Sequence, residues 1–278
     1  AISILLLLSA ASLTSEIYAE VQEVETVTII GTKADVKELP GSGTIVSNEE
    51  LQKAMDTDIH KILSAVPGVY FRTEDGYGLR PNISIRGTSI DRSAKITLME
   101  DGILVAPAPY TSSSAYYFPT TGRINSVEVL KGPSSISQGP STIGGAINMI
   151  STPIPEEASG KLTQEFGQNG MLRTHAYYGG VSGNFGGLVE VHEHQSDGFD
   201  SIANVGGDTG FDKSDFMMKA RYENGDHSLT FKMVEIDEIS DQSYVGLSGK
   251  SFNANPRLRY GMTQYDQMSN DGDQKSLT

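Results

Sequence analysis

Apolar and polar positions follow two different rhythms along this chain, and the change comes at Pro153-Ile154-Pro155. Before it the pattern is mixed. Ile59, Ile62, Leu63 and Val66 recur at helical spacing, and Pro67-Gly68 stops the run. Leu51 and Met55 lie one helical turn apart, behind Ser47-Asn48-Glu49-Glu50, which has the Ser and Glu spacing of a capping box. Asp56-Thr57-Asp58 offers a second helix start. Two short helices with one buried face are predicted. Short β-prone runs surround them, at Thr44–Val46, Val69–Phe71, Asn82–Arg86, Lys95–Met99 and Ile103–Val105. Between Arg123 and Ser151 the apolar runs Val127–Leu130 and Ala146–Ile150 flank Gly132, Pro133, Gly139, Pro140, Gly144 and Gly145. Gly and Pro at that density make turns and close backbone approaches, so the stretch reads as strand, folded loop, strand. Residues 40–152 thus form one compact α/β domain.

After Pro155 the period becomes two. Leu172, Thr174, Ala176 and Tyr178 share one face, with Arg173, His175 and Tyr177 opposite. Phe216, Met218, Ala220 and Tyr222 alternate with Met217, Lys219 and Arg221, and Leu229, Phe231 and Met233 alternate with Ser228, Thr230 and Lys232. Leu162–Phe166 and Phe185–His194 continue the series. Such strands suit an outer-membrane barrel, and they equally suit a soluble antiparallel sheet. The connections favour the barrel. Every second one, at Gly179–Asn184 and Glu223–Asp226, is short, while Gln195–Asp212 and the stretch after Asp237 are long.

The N-terminus adds a destination. Ile2–Leu13 is apolar but shorter than the ~20 residues that span a bilayer as a helix. It has the character of a signal-peptide core, giving a partial leader at 1–19 with cleavage after Ala19. The missing Met and basic region imply truncation at that end. In the following segment, 20–39, Glu25-Thr26-Val27-Thr28-Ile29 is β-prone without a nearby partner strand. Such a segment can add to another protein's sheet or serve as an ordinary first strand of the domain.

Composition narrows the classes. The chain has no Cys, so no disulfide framework or thiolate chemistry. A net charge of -14 argues against non-specific binding to nucleic acid, whose phosphates need Lys and Arg. Candidate chemistry is sparse. Glu190, His192 and His194 share a strand face and could be metal ligands, although polar lining is the simpler reading. Gly139–Gly145 lacks the ending of a phosphate loop. No Ser-His-Asp arrangement is suggested, so no catalytic residues are assigned and an enzyme is not expected.

Several motifs in register carry a family resemblance: ETVTIIG at 25–31, a helical run ending VPGV at 47–69, ISIRG at 83–87, LMEDGI at 98–103 and VEVLKGPSSISQGPSTIGGAINMIST at 127–152. Together they resemble TonB-dependent outer-membrane receptors. Pro107–Tyr110 (PAPY) and the run from Gly210 to Leu258 look more like the ferric dicitrate receptor branch. The resemblance implies an α+β plug domain at 40–152 inside a transmembrane antiparallel β-barrel of 22 strands. The first five or six strands would lie in 153–278, a truncated barrel. It implies TonB-dependent uptake of a ferric chelate, with iron(III) dicitrate favoured over another siderophore, cobalamin or an oligosaccharide. A non-energised structural or adhesive barrel is the reading of a different class. No cofactor is implied, because iron travels as chelated substrate. The implied partners are TonB with ExbB and ExbD, the ferric chelate and outer-membrane lipid, in a Gram-negative cell.

The resemblance also assigns residues. Glu25, Thr26, Val27, Thr28 and Ile29 would form the TonB box, which favours strand addition for that segment. Arg86 and Lys131 would face barrel-wall glutamates, with Lys131 standing where the family has Arg and so lacking the bidentate fork. Arg80, Tyr110, Thr111 and Ser112, on apical loops, would meet an anionic, oxygen-rich ligand.

Overall fold

The computed structural model describes residues 28–32, 35–55, 57–73, 76–105, 117–203, 209–241, 247–260 and 269–277. The leader at 1–19, three box residues (Glu25, Thr26, Val27) and the loop residues Tyr110, Thr111 and Ser112 lie outside them. The N-terminal domain opens with β1 (Ser42–Val46), α1 (Asn48–Ala54), α2 (Ile59–Ser64) and β2 (Val69–Arg72). It continues with β3 (Asn82–Ile85), β4 (Ile96–Glu100), β5 (Ile103–Leu104), β6 (Ile124–Lys131) and β7 (Gly145–Ser151). Both helices start as their sequence signals imply. The Glu50 carboxylate accepts from the Ser47 N–H at 2.8 Å, and Asp58 accepts from the His60 N–H at 2.9 Å.

Five strands form a mixed sheet in the order β1-β6-β7-β4-β5. β6 pairs antiparallel with β1 and β7, whereas β7 and β4 run parallel. Every residue of β4 and β7 is buried, because both sheet faces are covered. One face packs under α1, α2 and the β2–β3 pair, with Ile59, Leu63, Ile83, Ile85, Val127 and Ile147 in the core. The other face holds Met99, Leu130 and Ala146 against Ile30. Gly145 starts β7 at φ +151°, where a Cβ would meet the Leu130 carbonyl oxygen at 2.2 Å. Only Gly allows that approach.

A second sheet follows. It contains β8 (Ser159–Phe166), β9 (Leu172–Ser182) and β10 (Phe185–Ser196), then β12 (Phe211–Asn224), β13 (His227–Asp241) and β15 (Ser269–Leu277). Its order is β15-β13-β12-β10-β9-β8, with every pair antiparallel. Two-residue turns, Gly183-Asn184 and Gly225-Asp226, close one end. Long connections leave the other. They contain β11 (Ser201–Ile202), α3 (Gly249–Ala254) and β14 (Leu258–Arg259). β11 and β14 pair in parallel, and Arg259 reaches Asp200 at 2.7 Å, so the two long connections are tied together.

The alternation along β12 decides between the two sheet readings. Its buried positions are Phe211, Lys213, Asp215, Met217, Lys219 and Arg221, while Ala220 and Tyr222 are exposed and Phe216 and Met218 half-buried. Charge lies inside and apolar side chains lie outside. Leu162, Phe166, Tyr178, Phe185 and Leu229 are likewise between 66% and 79% exposed. A soluble sheet would show the reverse; a lipid-facing wall around a polar interior shows this. Phe185 and Tyr222, paired across β10 and β12 beside the short turns, pack in a tilted arrangement with centroids 4.8 Å apart. Aromatic pairs at that level suit a membrane interface.

Candidate functional site

The inward, charged face of the second sheet meets the N-terminal domain in a buried polar contact. It begins at the turn after β4, where Glu100-Asp101-Gly102 read in sequence simply as a turn. Arg123, just before β6, is 1% exposed. Its guanidinium donates to Glu100 Oε1 and, through Nε at 2.7 Å, to Asp215 of β12. Lys232 of β13 donates to Glu100 and, at 2.6 Å, to Asp101. Lys219 of β12 donates to the Thr152 carbonyl at 2.9 Å and stands 3.5 Å from Asp101. Asp101 also accepts from the Ser151 N–H and hydroxyl. Three carboxylates therefore face three cations, two of the cations and one carboxylate coming from the sheet. Such a set persists in a dry interior only because each charge is paired and hydrogen-bonded.

Burial raises the Glu100 carboxyl, but the charges of Arg123 and Lys232 outweigh it and hold the group below the ordinary carboxylate range. Asp101 is likewise raised by burial and lowered further by Lys219 and Lys232. Both groups are more acidic folded than unfolded. Their stabilisation is therefore complete above the ordinary carboxylate range and is lost as pH falls through the lowered values. The contact is expected to stay intact at about pH 5 and to fail only in stronger acid. Near-ultraviolet circular dichroism of the purified full-length protein checks this, and loss of signal at mild acidity would count against it.

Two further contacts extend the seam. Arg80, 3% exposed, donates to Glu238 at 2.7 Å and to Ser240 at 3.1 Å, and Lys213 joins the same Glu238 at 3.1 Å. Thr152 donates to Glu190, whose other contact from the sheet is His175 Nε2 at 2.6 Å. Apolar packing fills between these. Ile154, Leu188, Met217, Val234 and Ile236 cluster with Tyr117, which also packs against the domain core.

Arg80 was expected on an open apical loop and instead pairs with the wall; loop residues Gly76 and Tyr77 lie against Phe199, and Tyr77 against Phe211. Lys131 was expected to face a wall glutamate. Its ammonium instead donates to the Pro67 carbonyl at 3.0 Å and Thr44 Oγ1 at 3.3 Å, both in its own domain. Burial, with Arg86 nearby, lowers its pKa. Arg86 is exposed, with its N–H donated to the Gly68 carbonyl at 2.8 Å. Among the described residues, Arg80 and Arg123 are the arginines of the N-terminal domain that pair with carboxylates of the second sheet. Glu190, His192 and His194 do share the inward face, but no metal-holding group of three or more His, Cys, Asp or Glu occurs among the described residues. His192 is 1% exposed and its ring presses on Gly122.

Of the box, Thr28 is exposed and Ile29 half-buried. The N–H groups of Ile29, Ile30 and Gly31 point at one carboxylate, Glu128 of β6, at 2.7, 3.0 and 3.3 Å. Sequence reasoning passed over Glu128, whose only signal was a charged residue inside an apolar strand.

Comparison with known proteins agrees with this geometry. Residues 35–146 match the family model described as TonB-dependent Receptor Plug Domain. The vitamin B12 transporter BtuB of Photobacterium profundum is 27% identical over 187 residues, covering 66% of this chain and 30% of the relative. The Vibrio vulnificus BtuB is 29% identical over 155 residues, covering 54% of this chain and 25% of the relative. Among solved structures, the ferric citrate transporter FecA in its unliganded form superposes with a TM-score of 0.66 at 20% identity, covering 83% of this chain and 36% of that one. The ferric yersiniabactin uptake receptor FyuA from Yersinia pestis gives 0.66 at 22% identity, covering 87% and 37%. The chain thus spans about a third of the length of these relatives or less. With a matching plug model, an inside-out β-sheet and a charged seam joining them, residues 35–146 are a TonB-dependent receptor plug domain, and the sheet that follows has the fold of the adjoining barrel strands in such outer-membrane receptors.

Proposed function

We propose that the protein containing this chain takes up a scarce chelated nutrient across the outer membrane, driven through TonB, and that its substrate is a ferric chelate of the dicitrate type. The observation that supports this most is the strap at Ile29–Gly31, a bent segment that links the end of the box to a plug otherwise wedged against the wall. A pull on the box reaches the plug through that strap. TonB, energised with ExbB and ExbD, is the proposed partner, pairing with Glu25–Ile29 by strand addition. Main-chain pairing tolerates load without demanding particular side chains. The reaction moves a ligand and makes no covalent change.

The dicitrate assignment draws support from PAPY at Pro107–Tyr110 and from the likeness to FecA. Tyr110, Thr111 and Ser112 remain the proposed ligand contacts. Arg80 belongs to this set only if its pairing with Glu238 is exchanged for ligand on binding. A second reading, cobalamin, is favoured by the two BtuB relatives named above. Binding of iron-loaded citrate, iron-free citrate and cyanocobalamin to the purified full-length receptor separates the two. Binding of the iron-loaded citrate alone is expected. Negligible binding of it, or tighter binding of cyanocobalamin, overturns the dicitrate assignment.

A further inference from the structure

Glu128 is 2% exposed on β6, and no ion pair to it occurs among the described residues. Its charge is met by four N–H donors. Three are the successive main-chain amides of Ile29, Ile30 and Gly31, and the fourth is Asn148 Nδ2 at 2.9 Å. Asn148 is itself fixed, because its Oδ1 accepts the Gly102 N–H at 2.9 Å, on the turn that seats the plug against the wall. The carboxylate is thus held in place from the plug side and filled from the strap side. A buried carboxylate accepting several backbone amides binds them strongly, because each bond is charge-assisted. If the strap left, the charge would keep one donor and the desolvation cost would stand.

The strap has no β-ladder of its own in this region. The first ladder of the domain, β1 with β6, begins only at Ser42. Ahead of it, the Ile30 side chain is tucked beside Met99, Leu130 and Ala146, and the Thr32 N–H and hydroxyl are taken up locally by Asp35, both at 2.7 Å. The hold on Ile29–Gly31 therefore rests on one carboxylate, the buried Ile30 side chain and the half-buried Ile29 side chain packed on the same cluster. Three bonds that converge on a single group are gained or lost together, unlike ladder bonds.

We propose that Glu128 is a positioning residue that clasps the last residue of the box and the two that follow it, so that this end of the box stays on the plug until the clasp opens. The assignment of the box rests on the function proposed above; the clasp itself does not. It recognises main chain, while the Ile29 and Ile30 side chains pack on the apolar cluster beside it.

A nitroxide at Thr28→Cys reads the clasp directly. Thr28 is exposed, and this chain has no Cys to compete for label. In the purified full-length receptor, with any other thiol removed and neither ligand nor TonB present, the label is expected to be immobilised. With Glu128→Gln, which keeps the side-chain shape but turns one acceptor into a donor facing the strap, the mobile population is expected to rise about tenfold. The thermal unfolding of the receptor should change little. If Glu128→Gln fails to fold, Ile29→Pro, which deletes the closest donor and leaves Glu128 intact, is compared with Ile29→Ala, which loses the same side-chain packing and keeps the N–H; a larger mobile population for Pro is expected, and equal populations overturn the clasp. A label already mobile in the parent, or equally immobile in the folded variant, overturns the clasp. Because TonB is absent, failure of the box assignment cannot mimic either result. That failure shows instead as uptake indifferent to the box.

Discussion

Arg123→Ala is expected to weaken the seating of the plug by about 3–5 kcal/mol, the cost of breaking a buried ionic set by removing one member. The guanidinium lies between Glu100 of the plug and Asp215 of the wall and is the only described group bonded to both. Its loss leaves Asp215 without that partner in a site where burial is nearly complete, at 4% exposure. Glu100 keeps Lys232, so the damage concentrates on the wall side. Arg123→Lys retains the charge but not the fork, and one ammonium cannot reach both carboxylates as the planar group does. An intermediate loss is expected. Urea-induced release of the plug, followed by protease accessibility in the purified full-length receptor, gives the midpoint shift. The exposed pair of Arg72 with Asp91 supplies the contrast, and Arg72→Ala should shift it by less than about 1 kcal/mol. Equal shifts for the two variants would contradict the special position of Arg123.

Gly122→Ala is the second large effect. A Cβ there would stand 2.0 Å from His192 Nε2. The imidazole cannot swing away freely, with His175 and His194 rings at 5.7 and 6.2 Å. Overpacking of this kind costs about 1–3 kcal/mol. The clash is between plug and wall, so it should unseat the plug without unfolding the sheet. His192→Ala removes the obstacle, and the double variant is expected to be more stable than the sum of the single changes by about 1–2 kcal/mol. Additive single effects would mean that the ring and Gly122 do not press on each other. The same contact gives His192 a packing role, and His194 packs edge-on to Phe211.

The architecture was readable because each unit follows its own period. Helical spacing at Ile59, Ile62, Leu63 and Val66 and the Gly/Pro-rich fold between β6 and β7 placed the plug's elements. The strands of the wall were detected but cut short. β12 and β13 run to 14 and 15 residues, beyond the stretches where apolar alternation is clear. At their far ends the outward positions turn polar, as at Asp212, Ser214, Glu235 and Asp237. A pattern search for alternating hydrophobicity stops there, although the backbone pairing continues. Nor could alternation alone say which face was inside. That depended on the plug, whose Glu100, Asp101 and Arg123 require a charged partner surface.

The seam was the least legible part. Its members come from positions as far apart as Glu100 and Lys232, and no local spacing joins them. Glu100-Asp101-Gly102 has the form of a turn and is one, so its second role was hidden by the first. Lys131 was assigned by motif and Arg80 by its place on a loop, and neither gives the direction of a charge. Lys131 turns back to the carbonyl of Pro67. Glu128 escaped notice because its ligands are main-chain amides, which every residue except Pro has.

The claim on which the functional account turns is that the box at Glu25–Ile29 drives transport. The direct measurement compares iron uptake from its citrate chelate in cells expressing the full-length receptor with and without residues 25–29, alongside chelate binding to the same cells. Loss of uptake with binding unchanged is expected. Uptake continuing at the intact rate without the box would contradict it.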